Sequence, residues 1–251
     1  MLSLFLTVCV CCVVGLLIGW SGIAGFLLPI FFVGYLEMPV MSALAISFFC
    51  FLISGVIGSL GYYKKGFLPM NISLVIGAGS LFGSVIGVYL NKLLPSNVVT
   101  ILLYVVVFCS GFSILLRKDK KGGNTAGTKD LSKTILFVLG LVTATICSFS
   151  GAGGPILVMP LLIVLGIETR SAIGIALFDS IFIALPAIVG YMSKSTIDNL
   201  MLMLVVCGVS HAVGILLGSH SAHKIPQRVL KVSVAIFSIC IAVYKIAGMF
   251  L

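Results

Sequence analysis

The sequence predicts an all-α polytopic membrane protein of two homologous repeats, each with four segments, giving about eight membrane segments. Each repeat opens with a glycine-broken or re-entrant helix. Three observations carry this. Hydrophobic residues make up 61% of the 251 positions and charged residues 8%, against about 25% charged in an ordinary soluble domain. The apolar residues fall into runs of about 18 to 25, the length that crosses a ~30 Å hydrocarbon core. Finally, the chain matches itself at a displacement of 129 residues.

The first half, 1–116, begins with an apolar stretch at 2–36 interrupted near Gly19 to Gly25. Further segments follow at about 39–62, 67–90 and 97–116. The opening MLSLFLTVCVCC lacks the positive n-region of a cleavable leader, so it reads as mature protein. Next comes RKDKKGGNTAGTKDLSK, residues 117–133, a basic and glycine-containing linker that the positive-inside rule assigns to the cytoplasm. The second half, 134–251, repeats the plan: a stretch at 134–166 broken at 148–155, then segments at about 171–192, 199–219 and 229–250.

The self-match has a definite order. Ser21, Gly22, Gly25, Leu28 and Leu36 meet Ser150, Gly151, Gly154, Leu157 and Leu165, while Gly61, Tyr62 and Lys65 meet Gly190, Tyr191 and Lys194. After a two-residue shift Gly83, Gly87 and Pro95 meet Gly214, Gly218 and Pro226. Such duplication is the usual construction of secondary transporters. Arm length leaves open whether each broken segment crosses or turns back. Turning back gives the larger lysine and arginine bias, twelve on the linker side against three opposite.

A net charge of +9 resides in the loops, where it sets topology and meets lipid headgroups; no nucleic-acid partner is implied. The eight cysteines lie in apolar runs without paired CxxC spacing and read as packing residues, with Cys147 set apart by its place beside the second break. No metal site and no cofactor is expected. Neither HExxH nor Gly-x-Ser-x-Gly occurs, so the sequence does not read as an enzyme.

SFSGAGGPILVMP, residues 148–160, places three glycines and a proline inside an apolar segment. Glycine admits positive φ and close approach of a ligand, and proline suits the first position of a new helix. Ser150, Gly151, Gly153 and Gly154 are therefore expected to form an exposed-amide turn leading into a half-helix, an anion site. Ser21, Gly22 and Gly25 would supply the matching wall. Irregular backbone at membrane depth is tolerated where protein or a cavity satisfies it, so a buried break points to a substrate path. By contrast, the four-residue spacing of Gly79, Gly83 and Gly87, and of Gly214 and Gly218, reads as close helix packing.

SGIAGFLLPIFFV and SGAGGPILVMPLLIVLG, with SALAIS and SAIGIA opening the next helices, resemble the sulfite exporter TauE/SafE membrane transporters over nearly the whole chain. The first copy departs from the family's glycine-rich form by carrying Ile23 and Ala24 inside its turn. The resemblance implies transport of small sulfur-containing anions, of the sulfite, organosulfonate or sulfoacetate type, without an ATPase subunit.

Asp179 is the one acid deep in an apolar segment, and His211 the one mid-segment histidine; both are proton-coupling candidates. Tyr62 and Lys65, with Tyr191 and Lys194, read first as interface anchors and secondarily as an anion entrance. The expected protein is a secondary transporter, multi-pass in the cell (inner) membrane, whose partners are a small anion and the bilayer. A passive anion channel using the same turns is the alternative, and homo-oligomerisation is left open.

Overall fold

A computed structural model describes residues 2–22, 24–95, 97–99, 132–153, 155–197 and 199–221, with single helical positions at 101, 104, 105, 108, 112, 236, 239 and 243. Most of the 117–133 linker, Gly154 and the greater part of both fourth segments lie outside these residues. The regular structure among the described residues is all helix, with no strand. The helices are α1 (Leu2–Ser21), α2 (Leu27–Gly34), α3 (Val40–Lys64), α4 (Met70–Leu93), α5 (Lys133–Ser150), α6 (Pro155–Val164), α7 (Thr169–Met192) and α8 (Leu200–Ser221), with a 3₁₀ turn at Ala24–Phe26 before α2.

Six of these, α1, α3, α4, α5, α7 and α8, are long and apolar enough to span a bilayer. At 8 and 10 residues α2 and α6 reach only about 12 to 15 Å.

Contacts fix the helix directions. Gly79, Gly83 and Gly87 of α4 lie on the carbonyls of Phe137, Leu141 and Thr145 of α5, so α4 and α5 run parallel. Gly214 and Gly218 of α8 lie likewise on the carbonyls of Cys12 and Leu16 of α1, making α1 and α8 parallel. A Cβ at any of these glycines would collide with backbone, and that is why they are glycine. Between the two pairs, α3 and α7 cross antiparallel: Ser42 of α3 meets Ser195 just beyond α7, and Gly58 meets Leu177.

These directions put the ends of α1 and α8 beside the end of α3 and the starts of α4, α5 and α7. Lys64, Lys65, Lys133 and Arg170 gather there, against Lys92 and Lys194 at the far end. The short connection 35–39 returns α2 to the end where α3 and α1 both begin, so the first broken segment doubles back. The connection 165–168 does the same for α5 and α6 from the lysine-rich end.

Matched backbone accompanies the matched sequence. Gly22 and Gly151 both take φ above +70°, and their N–H groups close on Ile18 O at 2.7 Å and Cys147 O at 2.8 Å. This is the single-bond αL helix stop. Glu37 (φ 52°) and Gly166 (φ 90°), again 129 apart, end the short helices.

Candidate substrate site at the paired glycine turns

The two helix stops lead into turns that meet at opposite edges of the Phe51 ring of α3. A Cβ on Gly25 would come within 2.8 Å of Phe51 Cε1, and one on Gly153 within 3.1 Å of Phe51 Cε2. The aromatic ring therefore fills the gap that glycine leaves on each side. Gly22 and Gly151 sit against Ile173 and Leu44, one turn into α7 and α3 respectively. Each turn thus packs onto the first turn of the crossing helix from the other half.

Gly153 has φ of +82°, a value costly for a side-chain-bearing residue, whereas its counterpart Ala24 lies in a 3₁₀ turn. The departure from triple glycine in the first copy thus has a structural reason: that turn stays right-handed. Ser150 serves its own turn, donating to Ile146 O at 2.7 Å and accepting from the Ala152 N–H at 3.4 Å. The Gly153 N–H has no partner among the described residues. Ser21 is the last residue of α1, while Gly154 lies outside the description.

Around Phe51 the pocket is completed by Ile18, Gly22, Gly25, Ser54, Ala152, Gly153, Ile156, Leu177 and Ser180. It encloses about 10 Å³, the threshold for holding one water. In this conformation it is closed around its own side chains.

His211 reaches the pocket through one hydroxyl. Its Nδ1 lies 3.1 Å from Cys11 O and its Nε2 2.5 Å from Ser54 Oγ, with both side chains buried. A carbonyl can only accept, so Nδ1 carries the proton; in the neutral ring Nε2 then accepts from the Ser54 O–H. Ser54, which lines the pocket, spends its proton on the imidazole.

Asp179 is also fully buried, but it points away from the pocket towards α4 and α5. Cys147 and Ser80 lie beside it, yet among the described residues neither carboxyl oxygen closes a hydrogen bond, and the Ser80 hydroxyl is equally unpartnered. One turn along α4, Ser84 donates to Ile183 O at 2.6 Å and accepts from Ser148 at 2.8 Å. Asn91 donates to Phe149 O at 2.5 Å. A polar seam therefore runs along α4 from Asp179 to the base of the second turn.

The two ends of the bundle differ. Tyr191 is wholly buried, donates to Ser148 O at 2.5 Å and stacks on Phe48 with ring centroids 5.6 Å apart. Gly190 packs on Val88, and Ser42 bonds Ser195 at 2.8 Å. The expectation that Tyr191 anchors the membrane interface is therefore corrected: its hydroxyl is satisfied inside the protein, at the end opposite the lysine-rich one. At the lysine-rich end, matching Tyr62 and Lys65 instead line an open cavity of about 370 Å³.

Sequence reasoning brought the two turns forward but missed Phe51, Ser54 and Ser180. Phe51 and Ser180 occupy equivalent positions 129 residues apart but differ in residue type, so the self-match does not mark them. Serines are too frequent in these helices for Ser54 to stand out.

The chain is similar to known membrane transporters. The family described as sulfite exporter TauE/SafE matches residues 4–245. The probable membrane transporter protein YdhB of Bacillus subtilis (strain 168) is 25% identical over 224 residues, covering 86% of this chain and 89% of its own. No solved structure matches. With a family match over nearly the whole chain, six apolar spans and the paired turns in place, this multi-pass membrane protein belongs to the sulfite exporter TauE/SafE family of transporters.

Proposed function

We propose that the protein is a secondary transporter of small sulfur-containing anions, of the sulfite, organosulfonate or sulfoacetate type, resident in the cell membrane. It works by alternating access between inverted halves, 1–116 and 134–251, joined by the 117–133 linker. One observation carries the reading: two matched glycine turns, entering from opposite ends, converge on one residue, Phe51, between an open basic cavity and a sealed face. Inverted halves that meet at a broken-helix site are how such transporters expose one site to either side. The lysine-rich end is the cytoplasmic one by the positive-inside rule.

For an anion to bind, the Phe51 ring must leave the gap between Gly25 and Gly153. The Gly153 amide and the first turn of α6 would then face the oxyanion, and the Ser54 and Ser180 hydroxyls, which here donate to His211 and Ala176 O, would have to turn to reach it. Ser150, Gly151 and Gly22 hold the turns in shape, and Ser21 and Gly154 complete the two motifs in sequence. A channel would need a continuous path, whereas this pocket is closed around Phe51 and the far end is latched by Tyr191.

Two residues compete for the proton coupling, His211 first. If His211 takes a second proton, Nε2 becomes a donor to Ser54 Oγ and the Ser54 O–H is released towards the pocket. A proton on His211 thereby gives the anion one more donor. Asp179 stands at the seam behind the second turn, and its unpartnered carboxyl makes it the alternative carrier.

Gly153→Leu tests the site. The new side chain would collide with Phe51 and would have to adopt a strained backbone. Sulfite flux in proteoliposomes should fall to the protein-free level while the variant still inserts and purifies as a folded protein. Normal flux would remove the glycine turns from the mechanism.

A further inference from the structure

We infer that the open cavity at the lysine-rich end is a second anion site, a vestibule that collects a free oxyanion with a small apolar body before it reaches the glycine turns. The assignment rests on the transport reading for its purpose, but on its own geometry for its chemistry. Lys64, Lys65, Arg170 and His220 line the cavity, and among the described residues no acidic side chain does. Glu168 stands at the N-cap position of α7 without a side-chain cap bond and is not part of the lining. Positive charge gathered without compensation in a concave wall concentrates anions and speeds their entry.

The shape adds a further condition. Tyr62, Phe67 and Leu216 form an apolar rim, and the Arg170 guanidinium is held 5.3 Å over the Phe67 ring. That contact orients a planar donor fork at the cavity wall, the geometry suited to a sulfonate, carboxylate or phosphate. At about 370 Å³ the cavity has room for an anion carrying a short carbon chain. A Cβ on Gly61 would meet nothing within 4 Å, so that glycine faces the open space.

Its floor is the roof of the closed pocket. Gly58 lines the cavity and packs on Leu177, which lines the pocket. Ile18 and Gly19 are likewise split between the two chambers. An anion in the vestibule therefore stands one side chain away from the glycine turns, with Leu177 between them. A lipid phosphate has the same charge chemistry. The enclosing walls of α1, α3, α7 and α8 favour the free anion over a headgroup arriving from the bilayer plane.

Ethanesulfonate binding to the full chain in phosphatidylcholine nanodiscs tests this, read by the fluorescence of Trp20, the chain's single tryptophan and the neighbour of cavity-lining Gly19. Binding should persist in Gly153→Leu, where the inner site is blocked. In that background Lys65→Gln with Arg170→Gln should weaken it about tenfold or more. Gly61→Phe, which fills the space, keeps every cation and leaves Trp20 the single tryptophan, should do the same. Loss of binding in Gly153→Leu alone, or unchanged binding in both vestibule variants, overturns the assignment. Replacing part of the lipid with phosphatidylglycerol separates the two sources: unchanged ethanesulfonate affinity supports the free anion, and abolished binding makes the cavity a lipid site and overturns it. Normal transport by Gly153→Leu would sink the glycine-turn reading while leaving this binding result to stand or fall alone.

Discussion

Tyr191→Phe should unlatch the sealed end of the bundle. In the structure the Tyr191 hydroxyl donates to Ser148 O at 2.5 Å, and the ring is wholly buried against Phe48. The Ala152 amide, which could otherwise have continued the helix onto Ser148, goes to the Ser150 hydroxyl instead. Removing the phenol oxygen therefore strips a buried carbonyl of its partner and leaves the ring's packing intact. Such a loss costs about 1 to 3 kcal/mol. Where the opened state exposes the same groups to water, the whole cost falls on the closed state. At 1.4 kcal/mol per tenfold, the population open to that side rises about 5- to 150-fold. The readout is the labelling rate of Ala152→Cys, in a cysteine-free background, by an impermeant thiol reagent applied opposite the lysine-rich face. Tyr62→Phe is the control, because matching Tyr62 lines an open cavity and has no hydrogen bond to lose among the described residues. In the swapped state Tyr62 would bond Gly19 O, the counterpart of Ser148 O, so this variant should not speed labelling from that side. A labelling rate in Tyr191→Phe within twofold of the parent would refute the latch.

Packing and coupling give further tests. Gly83→Leu and Gly214→Leu place side chains on the Leu141 and Cys12 carbonyls, forcing α4 from α5 and α1 from α8. Each should destabilise the protein by about 1 to 3 kcal/mol or more, seen as a lowered melting temperature in detergent; a wild-type melt in either would contradict the parallel helix pairs. Gly151→Ala should cost about 1 to 2 kcal/mol through its positive φ, and Gly61→Ala, facing open space, almost nothing. His211→Gln keeps a side chain able to bond Ser54 but cannot titrate. It should retain anion exchange and lose accumulation driven by a pH gradient, with Asp179→Asn retaining it; the reverse result would move the coupling site to Asp179.

The segment boundaries were legible because glycine and proline are backbone instructions. Gly22, Gly151 and Gly166 stop helices at positive φ, Pro155 opens one, and Pro39 and Pro69 stand just ahead of α3 and α4. Close packing by Gly83 and Gly214 was readable for the same reason, since four-residue spacing of small residues has one common use in a membrane helix. The doubling back of the broken segments could only be weighed by charge, because arm length permits either course. Whether Tyr62 and Tyr191 differ was not readable at all. Both sit in the sequence Gly-Tyr with a lysine three residues on, and only the conformation breaks their equivalence. The Ser54–His211 pair joins residues 157 apart, and Phe51 acquires its role only where two distant turns meet on it.

The measurement closest to the central claim is sulfite accumulation by the purified protein in proteoliposomes loaded with equal sulfite inside and out. Imposing a pH gradient, with membrane potential clamped, should drive net sulfite movement against the gradient it creates, with saturable kinetics and complete dependence on Gly153. Flux that only ever runs downhill, rises linearly with concentration and ignores the pH gradient would contradict the account and make the protein a channel.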